Sequence, residues 1–377
     1  MAEKILFCAS TTSHIRNFHL PYIKVLRELG YEVWVAVNAQ ESIPFTNQVR
    51  AFPFAKSFFS LQNVIALFKL RSLLMKERFD MVSTHTALAS AILRLAVLLM
   101  PKKLRPRIIY IAHGFLFQKK DGFKKWVYLL PELICAPITN TLMVMNQEDL
   151  ELAKVHHLYK SNLLPVNGIG IDLSAFHLIS EDSRKDHRQS LGFTESDYLF
   201  IYAAEFSKRK NHEMLIHAFV KAAADIPNAH LLLAGTGILL EKYKALVAKL
   251  KADRQIHFLG YVNEIRNLYP LCNAIVSSSK VEGLPFNVME GMACGLQVLV
   301  SDIKGHRDLV NGNSEFLFRS ERELQEKLVK YAESPQGFTD WSHILKKYKL
   351  EYVMPDILGQ YVRMFPSASE PPSQTTF

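Results

Sequence analysis

Two glutamates, Glu282 and Glu290, bracket the start of a helix-like run in VEGLPFNVMEGMACG, residues 281–295. The segment follows NAIVSSS, a short apolar run that reads as a strand, so it sits at a strand's carboxyl end. Pro285 suits a first helical position, where its missing N–H costs nothing. Over residues 285–293 helical spacing gives one apolar face, Pro285, Val288, Met289 and Met292. Asn287, Glu290, Gly291 and Cys294 share the other. That second face offers a carboxylate able to bind vicinal hydroxyls, an amide, and a glycine that leaves space beside them. The turn from Gly283 through Leu284 and Phe286 to Asn287 offers N–H groups suited to a phosphate. Acidic residues also suit any helix start, where the macrodipole favours negative charge. Spacing alone does not choose between the two.

Other strand ends carry further candidates. YLFIYAAEFSKRKNHEMLIHAF places Lys208, Arg209 and Lys210 between a strand and a helix, where three cations can neutralise a diphosphate or form a solvated turn. HLLLAGTGILLEKY has Gly235 and Gly237 but Leu240 where a third glycine would complete a dinucleotide fingerprint, which argues against a nicotinamide cofactor. Tyr261 and Val262 follow the strand-like QIHFLG, and His113 ends RIIYIAH. In ASTTSHIRNFHLPY, residues His14, Arg16 and Asn17 are expected on the loop after the first strand. The chain has neither an Asp-x-Asp nor an H-E-x-x-H motif, so neither a metal nor another cofactor is expected.

These residues need strands that deliver loops to a common edge, and the pattern supplies them. Short apolar runs alternate with longer amphipathic ones, as in α/β proteins with parallel sheets. Strands are predicted at KILFCAS, EVWVAV, DMVSTH, RIIYIAH, TLMVMN and LLPVNG, then again at YLFIYAA, AHLLLAG, QIHFLG, NAIVSSS, LQVLVSD and EFLF. Between the sets lies a polar stretch of linker character, residues 171–197. The expectation is two Rossmann-like, doubly wound domains, residues 1–172 and 173–365, with a Pro/Ser-rich disordered tail at 366–377.

With 49% hydrophobic and 21% charged residues in 377, the chain is an ordinary globular one. Its four scattered cysteines argue against a disulfide framework and for a reducing compartment. The start MAEKILFCAS does not read as a signal peptide, and LASAILRLAVLLM is too short to span a bilayer and contains Arg94. The net charge of +9 is uneven: residues 56–130 hold fourteen Lys or Arg against three acids.

The Glu-x7-Glu segment resembles the signature of glycosyltransferase family 4, retaining enzymes of the GT-B fold, in which two Rossmann-like domains face a cleft. The following VLVSDIKGHRDLV is similar to that family's next strand and glycine turn. Lys210 and Asn211 match the family's Lys-Asn after the first strand of the second domain, whereas Glu205 stands where Arg is commonest. The resemblance implies that Glu290 holds the donor ribose, that Glu282 faces the donor sugar and its leaving phosphate, and that Lys210 meets the diphosphate with Lys208 or Arg209. It also implies that Gly235 lies near the donor, that backbone at Tyr261 and Val262 meets the base, and that His113 reaches the transferred sugar. His14, Arg16 and Asn17 become acceptor-side candidates. The opening unit, HGF and EGLPFNVME together resemble a bacterial subgroup that builds capsules, exopolysaccharides and O-antigens.

The function expected is transfer of a sugar from a nucleotide diphosphate sugar, UDP being the commonest nucleotide, to a glycan or polyprenyl-diphosphate-linked hydroxyl. A 2-epimerase of the same architecture and a basic nucleic-acid-binding protein are the alternatives. Against nucleic acid, no aromatic stacking module or recognition helix is evident. Three stretches that mix cations with apolar residues, 57–79, 88–107 and 115–134, suggest docking, without spanning, on the cytoplasmic face of an anionic membrane. In the first, Leu67, Leu70 and Leu74 are expected on one side of a helix and Lys69, Arg71 and Lys76 largely on another.

Overall fold

The computed structural model describes residues 2–365 apart from 56, 58, 59 and 120, so the predicted tail at 366–377 lies outside the described residues. The chain forms two compact units, 1–170 together with 350 onward, and 171–349.

The first unit holds seven strands: β1 (Lys4–Cys8), β2 (Glu32–Val37), β3 (Gln48–Ala51), β4 (Met81–Thr84), β5 (Arg107–Ala112), β6 (Thr141–Val144) and β7 (Asn162–Pro165). They pair in parallel in the order β3-β2-β1-β4-β5-β6-β7. Ile5 to Cys8 and Val33 to Val37 are buried almost throughout, as expected for strands covered by helices on both faces. β3 escaped sequence reading because QVRA is an exposed edge with Val49 its one buried residue.

The second unit holds β8 (Tyr198–Ala203), β9 (Ala229–Ala234), β10 (Ile256–Gly260), β11 (Ala274–Ser277), β12 (Gln297–Ser301) and β13 (Leu317–Phe318). Their order is β10-β9-β8-β11-β12-β13, again parallel. In both sheets the winding reverses direction once, between β1 and β4 and between β8 and β11. Open parallel sheets bind ligands at such switch points, beyond the strands' carboxyl ends.

Two boundary expectations need correction. The stretch 171–197 is no bare linker: it contains the helix Glu181–Ser190. That helix buries Arg188, which donates to Leu271 O at 2.8 Å and Asn273 Oδ1 at 2.6 Å. Its apolar periodicity is weak because a guanidinium, not an aliphatic chain, anchors it. The last helix, Leu350–Arg363, belongs to the first unit rather than the second. Tyr361 stacks on Phe7 of β1 and its hydroxyl lies 2.5 Å from Ser83 Oγ on β4. Tyr31 stacks on Phe365 just beyond.

The cation-rich helices also sort differently than expected. On the helix Leu61–Glu77, Leu70 and Leu74 are buried in the core, while Leu61, Val64, Ile65 and Phe68 are exposed. Arg94 is fully buried, 2.8 Å from Glu132 and over the Tyr110 ring, so LASAILRLAVLLM is core rather than a membrane face. The helix Trp126–Cys135 exposes Trp126, Val127, Leu130 and Ile134, with Phe123 just before it 87% exposed. Among the described residues no helix is long and apolar enough to cross a membrane.

Candidate active site

At the switch point of the second sheet, the loop after β8 meets the loop after β11. Lys280 N donates to Arg209 O at 2.9 Å. Tyr202 Oη donates to Lys210 O at 3.0 Å, and Ser278 Oγ donates to Lys210 O and Asn211 O at 3.1 and 3.0 Å. Asn211, in the left-handed region at φ 54°, turns the chain into the helix His212–Ala222. The lysine loop is thus clamped by buried hydroxyls from neighbouring strands.

That clamp sets three charges together. Glu282 is only 7% exposed. Its Oε1 lies 2.5 Å from Lys210 Nζ and accepts from Ser279 Oγ at 2.7 Å, and its Oε2 lies 3.0 Å from Arg209 Nη1. Burial by itself would raise the carboxyl, but Lys210 and Arg209 outweigh it and pull the group down to about 2. Lys210 and Arg209 therefore serve a carboxylate of their own, and Lys208 is exposed alongside.

Two glycines seat the next loop against this one. A Cβ on Gly235 (φ 146°) would lie 2.1 Å from Ala204 O, and one on Gly237 (φ 154°) 2.6 Å from Phe206 O. The backbones then bond directly, Ala204 N to Ala234 O at 2.8 Å and Phe206 N to Thr236 O at 2.9 Å. Gly305 does the same from the far side, since its Cβ would meet Gly283 O at 2.6 Å.

The second glutamate stands on the helix Phe286–Ala293, with Pro285 at the extended N-cap position, one residue before the first helical position expected of it. Glu290 is half-buried and accepts from Tyr269 Oη at 3.3 Å; burial pushes its carboxyl up to about 7. Asn287 is engaged, its Nδ2 donating to Ala203 O at 3.1 Å, which ties the helix start to the end of β8. Gly291 does not open space as expected. It is buried, a Cβ there would lie 2.9 Å from Ile275 Cδ1, and it lets the helix settle onto β11. Leu284 is buried and Phe286 half-buried in the same turn. Tyr261 and Val262 lie beyond β10, two strands from β8, with the Tyr261 side chain exposed.

The sequence reading missed a supporting layer: Tyr202, Ser278, Ser279, Ser301 and His306. Ser301 Oγ donates to Ser279 O at 2.5 Å, and His306 Nδ1 bonds Ser301 O at 2.9 Å. The serine run after β11 was a signal, since serines that end a buried strand must find partners.

In the first unit His14, Arg16 and Asn17 are not on a loop but on the helix Thr12–Phe18, capped by Thr11. A helix separates their directions. His14 packs on His113 at 4.6 Å between ring centroids, while Arg16 reaches Ser42 O and Glu41, and Asn17 is exposed. His113 is not a solitary histidine: His19 and His85 complete a cluster.

Comparison with known proteins fits this geometry. Residues 183–347 match the family described as Glycosyl transferases group 1, and residues 22–138 match Glycosyltransferase Family 4. EpsD of Bacillus subtilis (strain 168), a glycosyltransferase by assignment, is 33% identical over 321 residues, 85% of this chain and 84% of that protein. The UDP-Gal:alpha-D-GlcNAc-diphosphoundecaprenol alpha-1,3-galactosyltransferase of Escherichia coli is 27% identical over 284 residues, 72% of each chain. Among solved structures, HepE of Anabaena in complex with UDP and glucose superposes with a TM-score of 0.75 at 17% identity, covering 96% of this chain and all of that one.

Proposed function

The chain belongs to the glycosyltransferases that join a Glycosyltransferase Family 4 domain to a group 1 domain in the GT-B fold, and from that premise we propose its reaction. It moves a glycosyl group from a UDP-sugar, with retention of anomeric configuration, to a hydroxyl of a polyprenyl-diphosphate-linked glycan in surface polysaccharide synthesis. The observation that carries this is the meeting of Arg209 and Lys210 with Glu282 at the switch point, beside the N-terminus of the Glu290 helix. Negative charge develops on the departing diphosphate, and preorganised cations and a helix N-terminus are what stabilise it. Glu282 holds the two cations in place before the donor arrives and shares them with the diphosphate once it does. Glu290 takes the ribose hydroxyls, with Tyr269 orienting its carboxylate. HepE was crystallised with UDP and glucose, and the Escherichia coli relative uses UDP-Gal and a diphosphoundecaprenol acceptor, which supports the choice of nucleotide and acceptor class.

The acceptor reading draws in the first unit. Phe68 on one helix, with Phe123 beside another, belongs to apolar groups exposed near Lys69, Arg71, Lys119 and Lys125. Such surfaces rest on anionic bilayers at their cytoplasmic face. The test is incubation of the enzyme with UDP-sugars and a polyprenyl-diphosphate glycan, with NMR of the product anomer. Product of unchanged configuration with UDP release is expected. An inverted product, or conversion of the donor sugar with no acceptor present, overturns the proposal.

A further inference from the structure

The amino edge of the first sheet holds a cavity of about 600 Å³, a volume in the range of small-molecule sites. The starts of β5, β6 and β7 form one wall through Arg107, Asn140, Ser161 and Asn162. The last helix forms the other through Gln360 and Arg363. Arg107 opens β5 and His113 follows its end, so steps of about 3.3 Å per residue put roughly 20 Å between them. The cavity is therefore separate from the strand ends that carry the candidate sugar-side residues.

Packing elsewhere fixes its walls. Tyr361 is buried, stacks on Phe7 and sets its hydroxyl 2.5 Å from Ser83 Oγ, so the helix that carries Gln360 and Arg363 is pinned to the sheet. Arg107 Nη1 donates to Met364 O, which brings its guanidinium beside the backbone next to Arg363. Asn140 Oδ1 accepts from Ile108 N at 2.9 Å, which leaves its Nδ2 hydrogens as donors. Ser161, Asn162 and Arg363 are exposed at the mouth.

The charge is one-sided. No Asp or Glu lines the cavity, and neither arginine forms an ion pair with another described residue. Asp80, whose carbonyl accepts from Arg107 N at 3.0 Å, has its carboxylate engaged by Lys4 N at 2.8 Å. A crevice that served only solvent would have no use for two gathered guanidinium groups, whose repulsion an anion relieves.

We propose that this cavity binds a small phosphorylated saccharide. Guanidinium forks match phosphate oxygens in bidentate fashion. A bare phosphate would fill only a small part of the volume, and the Asn140, Asn162 and Gln360 amides with the Ser161 hydroxyl suit sugar hydroxyls. At the far end of the strands from His113, the bound molecule is not the sugar being transferred. The site lies within the first unit, so the nucleotide reading of the second survives its failure.

The test is equilibrium dialysis of the full chain against labelled glucose 1-phosphate at low salt. The wild type should bind one equivalent more than Arg363→Ala, which should keep its far-ultraviolet circular dichroism because Arg363 is exposed. Arg107→Gln, which retains an amide donor for Met364 O, should lose the same equivalent. Arg322→Ala, an exposed arginine of the second unit, should bind as the wild type does. Displacing the label should take at least tenfold more inorganic phosphate or free glucose than unlabelled glucose 1-phosphate. Equal binding by wild type and Arg363→Ala overturns the site. Phosphate or glucose displacing the label as readily as glucose 1-phosphate overturns the assignment of its ligand.

Discussion

Replacing Lys210 by Met should unsettle the second unit before it affects any chemistry. The wild-type Lys210 side chain is 13% exposed and that of Glu282 9%, so the change leaves a buried carboxylate with Arg209 alone, itself 44% exposed. Glu282 sits at about 2 against an ordinary 4.5. At roughly 1.4 kcal/mol per pH unit, its partners outweigh the cost of burial by about 3 kcal/mol above pH 5. Because the folded value is depressed, that contribution is present above 4.5 and fades as pH falls through 2. Losing one partner of a buried pair costs about 3–5 kcal/mol in general, and the surviving Arg209 places the variant near or below the lower end. For a unit of this size about 2–3 kcal/mol corresponds to roughly 4–12 °C in Tm. The assay is calorimetry of wild type, Lys210→Met and Lys210→Met/Glu282→Gln at pH 7 and pH 4. The single variant should melt lower at pH 7, the gap should narrow at pH 4, and the double variant should recover part of the loss. A single variant within 1 °C of wild type at pH 7, or a double variant less stable than the single, refutes the reasoning (about 0.3–0.5 kcal/mol at that size).

Three further outcomes follow from the same geometry. Glu290 is held near 7, above its ordinary 4.5, so its ionisation burdens the folded state as pH rises. Glu290→Gln should then raise Tm at pH 8 more than at pH 4.5, and equal shifts at both would contradict the burial argument. Gly235→Ala, whose Cβ would lie 2.1 Å from Ala204 O at a φ of 146°, should cost at least about 2 kcal/mol in denaturant unfolding by strain at a special backbone position. Flotation should recover wild type with anionic vesicles at low salt, and Phe123→Ser/Leu130→Ser/Ile134→Ser at least tenfold less. Equal recovery of the two proteins would remove the membrane face from the account.

Most of the fold was legible because each buried parallel strand is a short apolar run, from KILFC to QVLVS, bounded by polar turns. Elements held by something other than aliphatic burial were harder to read. β3 is an exposed edge, and Glu181–Ser190 is anchored by a buried guanidinium. The final helix returns to the first sheet through Tyr361, which no local pattern announces. At the site, Glu282, Arg209, Lys210 and Glu290 were visible as charged residues at strand ends. Their pairing was not, since Lys210 and Glu282 stand 72 positions apart in the sequence. Gly291 misled because helical spacing gives a face and does not say whether the sheet or the solvent lies against it. The four histidines were singly visible at best, and their meeting depends on topology.

The central claim is that the loops after β8 and β11, with the Glu290 helix, hold a uridine diphosphate sugar. Isothermal titration of UDP, GDP and ADP into wild type, and of UDP into Glu290→Gln, tests it most directly at pH 8. UDP should bind more tightly than GDP or ADP, and Glu290→Gln should weaken UDP at least tenfold, or about 1.4 kcal/mol, with Tm not reduced. GDP or ADP binding more tightly than UDP, or UDP binding unchanged in Glu290→Gln, would contradict it.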